Sequence, residues 1–186
     1  MSMELDRLSQ ILGKPTRPPA VTPWERSASE AGFVFPSDYR EFVNRYGSVR
    51  INGELSVLVP TLRSYDAGPI VGFPGFVRVT TDGVAAELAG HEDCPYPVHP
   101  ATGGLLAWGS NLNADQFLWL TEGGDPDAWP VVAFYRGLDM WDRFDGGFAA
   151  FLLAVLDGTY AYGSEVAPHN ADEPLWRFQG DWNWVE

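Results

Sequence analysis

The hydrophobic period of this chain changes at a single glycine. Before Gly47, apolar side chains fall at Tyr39, Phe42, Val43 and Tyr46, the i, i+3, i+4, i+7 spacing of one helix face, and Pro36 suits the start of that helix. Gly47 fits the position just past a helix end. Beyond it, Ile51, Leu55, Val57 and Val59 flank Asn52-Gly53, a pair that favours a tight hairpin turn, and the second arm alternates with a period of two. Helices first and strands after them make α+β the natural class.

The rest of the chain extends this pattern. Leu5, Leu8 and Ile11 or Leu12 predict a short helix over 3–12, ended by Gly13 and Pro15. After a proline-rich lead-in, Thr22, Pro23, Trp24 and Glu25 read as a capping box opening a helix that stops at Gly32. Residues 60–104 are rich in glycine and proline and read as a long, partly ordered insertion, with a strand at Val77–Thr80 and a short helix near Val84–Leu88. Leu105–Trp108, Gln116–Leu120 and Pro130–Tyr135 then read as three strands of an antiparallel meander. Trp141 and Phe144 lead into a closing helix with Phe148, Phe151, Leu152, Val155 and Leu156 on one stripe. Residues 159–186 carry Tyr160, Tyr162, Trp176, Phe178, Trp182 and Trp184, too many rings for a free tail, and are expected to pack. The expected class is α+β: one domain over 22–158, a helical lead-in over 1–21 and an aromatic extension over 159–186.

Eight Trp, eleven Phe and seven Tyr supply enough buried area for packing to stabilise such a domain by itself. The lone Cys94 forbids an internal disulfide and suits a reducing, cytoplasmic setting. The N-terminal residues lack the apolar stretch of a secretion signal. The longest apolar run, Phe148 to Leu156, is far shorter than the roughly 20 residues a membrane helix needs.

Charge is lopsided. Lys and Arg total 12 against 25 Asp and Glu, a formal net charge of −13. Residues 1–50 hold seven basic and six acidic side chains, so the excess acid belongs to the later part. Between Arg78 and Arg136 there is no cation, while Asp82, Glu87, Glu92, Asp93, Asp115, Glu122, Asp125 and Asp127 all fall there. Such a field repels nucleic acid and attracts basic proteins, and those eight carboxylates are the candidate partner-binding residues.

Groups able to do chemistry are few. Only His91, His99 and His169 could carry protons near neutral pH. His91-Glu92-Asp93-Cys94 with His99 offers metal donors, but at no standard zinc spacing. Ser110 lacks the second glycine of a nucleophile elbow, and no phosphate-binding glycine loop carries a lysine, Lys14 being the sole one. Asp125 and Asp127 could act as acid and base, yet they sit where turns favour aspartate anyway. No catalytic residue, metal or cofactor is assigned.

Four segments in order resemble the SUKH superfamily, which includes the Smi/Knr regulators. They are Trp24-Glu25 at a helix start, FPSDYREFVNRYG from Phe35 to Gly47, GGLLAWGSNLNADQFLWLTEGG from Gly103 to Gly124, and DPDAWPVV followed by Trp141, Phe144 and FAAFLLAVLDG. Ala114-Asp115 stands where the family pattern has Gly-Asp, and residues 159–186 lie beyond the pattern. The resemblance implies an α+β domain without cofactor or catalytic residue, with Trp24, Tyr39, Phe42, Trp108, Trp119, Trp129 and Phe151 as scaffold. Its bacterial members look like immunity proteins that neutralise polymorphic toxins. The expected partner is therefore a basic toxin, met by an acidic surface. A scaffold or regulatory domain that binds another protein, and an enzyme using the acidic stretch with a metal, stand as the alternatives.

Overall fold

The computed structural model describes residues 3–15, 22–60, 62–65, 68–89 and 94–179. It has the expected α+β class: helices packed on a seven-stranded, wholly antiparallel sheet. Helix α1, Met3–Leu12, buries Leu5, Leu8 and Leu12 on one side. A 3-10 turn, Trp24–Arg26, leads into α2, Ser27–Ala31, and Gly32 ends it in the left-handed conformation. The anticipated capping box does not form. Pro23 is the cap residue, it provides no side-chain acceptor, and the Trp24 N–H bonds back to the Thr22 carbonyl.

Helix α3, Ser37–Tyr46, buries Tyr39, Phe42, Val43 and Tyr46, the stripe its spacing predicts. Gly47 follows at φ +70°, and the hairpin of β1, Val49–Ile51, and β2, Leu55–Val57, begins two residues on. Asn52 and Gly53 both take positive φ and the Glu54 N–H bonds to the Ile51 carbonyl, the tight turn that Asn-Gly favours.

Residues 60–104 correct the expectation of an insertion. A small separate hairpin, β3 Leu62–Tyr65 and β4 Gly68–Val71, precedes α4, a 17-residue helix from Gly72 to Leu88. The strand expected at Val77–Thr80 is helical, because Phe73, Phe76, Thr80 and Val84 form one buried face that outweighs the β preference of its valines and threonines.

The need for that helix lies in the meander. Strands β5 Leu105–Ser110, β6 Gln116–Leu120 and β7 Val131–Tyr135 are apolar on both faces, so both must be covered. One face, with Leu106, Trp108, Phe117, Trp119, Val131, Ala133 and Tyr135, packs on α3 and on α5, Phe148–Leu156. The other, with Leu105, Ala107, Leu118, Leu120, Val132 and Phe134, packs on Val84 of α4, flanked by Leu88, Tyr96 and Val98. The glycine-rich stretch thus includes a second covering layer.

Strand β8, Met140–Phe144, pairs with β7 at the sheet edge where only a lead-in to α5 was expected. The sheet order is β8-β7-β6-β5-β2-β1-β9. After α5 come α6, Gly163–Val166, and β9, Trp176–Phe178, which pairs with β1. The Trp176 indole N–H donates to the Leu12 carbonyl at 2.7 Å and its ring meets Tyr46 edge-on. Trp182 and Trp184 lie outside the described residues.

Candidate interaction surface

The strands end in two groups of turns at opposite edges of the sheet. At one edge the β6–β7 connection meets the first turns of α3 and α5. Asp125 caps a 3-10 turn, Pro126–Ala128, accepting from the Asp127 N–H at 3.0 Å. Asp127 in turn accepts from the Ser37 N–H at 2.5 Å and so caps α3. Asp38 reaches across to accept from the Ala149 N–H at 2.8 Å, capping α5. Burial raises the Asp38 carboxyl above its ordinary value, opposed by the N–H groups it accepts from and reinforced by Asp127.

Tyr39, next in sequence, is fully buried. Its hydroxyl donates to the Leu58 carbonyl, and its ring meets Trp119 and Phe148 edge-on at 4.8 and 5.2 Å. Asp38 and Tyr39 therefore tie α3 to α5 and the sheet. Close by, Arg143 sits between Glu122 and Asp145, 2.7 Å from each. Glu122 and Asp145 thus flank one guanidinium at this edge, and the exposed Asp125 and Asp127 belong to the same β6–β7 connection as Glu122.

At the opposite edge the β5–β6 and β7–β8 turns are joined through a buried aspartate. Asn111 accepts from the N–H groups of Asn113 and Asp115 and donates to the Asp115 carboxylate at 2.8 Å and the Glu165 carbonyl at 2.9 Å. The second Asp115 oxygen accepts from the Arg136 N–H at 2.9 Å. Behind these turns the Tyr135 and Tyr160 hydroxyls lie 2.8 Å apart, and Tyr160 donates to Asp142 at 2.6 Å.

The eight carboxylates of the sequence reading do not form one patch. Glu122, Asp125 and Asp127 share the first edge. Asp82 lies on the exposed side of α4, 3.8 Å from Arg78, and Glu87 pairs with Arg136 at 3.0 Å. Asp115 is a correction: at 4% exposure, with both oxygens engaged by Asn111 and Arg136, it holds turns together and offers no charge to a partner. Glu92 and Asp93 lie outside the described residues, as does His91.

Sequence reasoning missed the Asn111–Asp115 junction, although Asn and Asp four apart around a turn are a local signal for it. It also missed the Tyr135–Tyr160–Asp142 chain, which joins residues distant in sequence and leaves no local signal.

Among the described residues no group of three His, Cys, Asp or Glu is placed to hold a metal ion. Cys94 donates to the Tyr96 carbonyl at 3.2 Å. His99 is half-buried and edge-on to Phe33, and burial lowers its pKa. Among the described residues no helix is long and apolar enough to cross a membrane. Compared with protein-family models, with curated proteins and with solved structures, the chain matches none.

Proposed function

We propose that this chain is a non-catalytic, cytoplasmic protein-binding domain of the SUKH kind, an immunity protein that neutralises a basic toxin by covering its working surface. The observation that carries the reading is where the acid sits. Glu122, Asp125 and Asp127 share the β6–β7 connection at one edge of the sheet, with Asp145 joined to Glu122 through Arg143, and Glu87, Asp139 and Glu165 stand near the other. A toxin that attacks nucleic acid needs a positive substrate surface, and edges of this sign accelerate encounter with it before short-range contacts form.

The family-like motif supports the same reading through its role in the scaffold. Pro36, Asp38 and Tyr39 serve to open α3, cap α5 and anchor both helices on the sheet. A rigid body of this sort suits occlusion, which requires a fixed shape and no bond chemistry.

The test is co-expression with each toxic product of the genes that neighbour the chain's own, together with binding of the purified pair. Growth rescue and a stable complex are expected. Failure to rescue, or steady product formation by the purified chain that one side-chain change abolishes, would sink the proposal.

A further inference from the structure

Two leucines stand out at the edge held by Asp115. Leu112, in the β5–β6 turn, is 62% exposed, and Leu138, in the β7–β8 turn, is 57% exposed. Isolated exposed leucines need no explanation, but these two sit on turns that a buried carboxylate locks to each other. Burying a carboxylate is costly unless it is fully hydrogen-bonded, and here its bonds fix the backbone that displays the leucines.

The backbone of both turns is also strained. Ala114 at φ +63° and Asp139 at φ +47° occupy the left-handed region without being glycine, one in each turn. Asn111 ties the first turn to the backbone of α6 as well. Turns fixed in this way hold apolar side chains in water without the freedom to fold them back, which lowers the ordering cost of binding.

We infer that this edge is the anchoring contact, with Leu112 and Leu138 entering an apolar pocket on a partner protein whose rim is basic. The sign of the rim follows from the exposed Asp139, next to Leu138, and the exposed Glu165 of α6, while Arg136 and Glu87 offset each other as a pair at 3.0 Å. The inference rests on the immunity reading above and names the face that reading uses. The acidic β6–β7 edge then serves to steer the encounter, and the leucine edge to hold the complex.

The experiment measures association and dissociation rates with a catalytically disabled form of the toxin that the chain relieves on co-expression. Leu112→Ser/Leu138→Ser should speed dissociation about 100-fold with an unchanged melting temperature, because truncating anchors acts on the lifetime of a complex. Asp125→Asn/Asp127→Asn, which keeps the capping oxygens, should slow association and leave dissociation as it was. The inference is overturned if the leucine variant dissociates like the unmodified chain, or if the aspartate variant is the one that dissociates faster. No binding by the unmodified chain would instead overturn the immunity reading, and the anchoring edge with it.

Discussion

Asp38 and Ala149 join two helices that are far apart in sequence: the Asp38 carboxylate accepts from the Ala149 N–H at 2.8 Å and so caps α5 from within the first turn of α3. The negative charge also faces the positive end of the α5 dipole. Gly147, the residue before α5, makes room for this contact, since a Cβ there would lie 2.9 Å from the Asp38 oxygen.

Gly147→Ala is therefore expected to displace the cap and lower stability by about 1–3 kcal/mol, the cost of leaving a half-buried N–H and carboxylate without each other. In an Asp38→Ala background the same change should cost little, because the cap and the clash are already gone. Urea unfolding of the four proteins measures the coupling. Additive losses would show that the two positions do not act through one contact.

The same carboxylate has a pH signature. Burial is the main cause that raises its pKa above the ordinary 3.8, so the folded chain holds this proton more tightly than the unfolded one. Its contribution to stability is then fully present below 3.8 and is lost as pH rises through the folded value. Relative to Asp38→Asn, which cannot titrate, the unmodified chain should lose stability over the interval from the ordinary 3.8 up through the folded value. A relative gain over that interval would mean that the hydrogen bonds outweigh burial and that the pKa is lowered.

Ala114 offers a gain instead of a loss. At φ +63° it holds a conformation that costs an L-residue roughly 1 kcal/mol or more. Ala114→Gly should raise stability by about 0.5–1 kcal/mol in thermal or urea unfolding and leave the Asn111–Asp115 bonds intact. A clear loss would show that the alanine methyl makes a contact worth more than the strain.

What was legible in the sequence was what is punctuated locally. Helix α3, the Asn52-Gly53 hairpin, the meander and α5 each carry their own period and their own end signals, so residues a few positions apart suffice to define them. Helix α4 does not. Val77, Val79, Thr80 and Gly83 are poor helix formers, and it is burial of Phe73, Phe76 and Val84 against other elements that makes the segment helical. Strands β8 and β9 depend likewise on partners already in place, since each pairs at an edge of the sheet. Acidic residues could be counted from the sequence, but Asp115 and Asp127 are engaged by the N–H groups of Arg136 and Ser37, and those meetings exist only in the folded chain.

The tyrosines give the last expectation. Tyr160 has one hydroxyl proton and gives it to Asp142, so in the 2.8 Å contact between the two hydroxyls Tyr135 is the donor. Burial raises both phenols above the ordinary value of 10, and the carboxylate of Asp142 adds to the rise. Tyr39, fully buried, is raised for the first of these reasons. A proton held more tightly in the folded state stabilises fully below pH 10 and progressively less as pH rises through the folded pKa, so alkali should act by unfolding the chain. Of the seven tyrosines, Tyr39, Tyr135 and Tyr160 should therefore ionise only with loss of tertiary structure. The tyrosinate absorbance of these three would then rise together with the collapse of the near-ultraviolet circular dichroism. Tyr160→Phe strips Asp142 and Tyr135 of their shared partner, and it should bring that joint transition to lower pH. Tyrosinate absorbance that reaches its full amplitude while the dichroism stays intact would show that the hydroxyl chain is open to solvent and stabilises nothing.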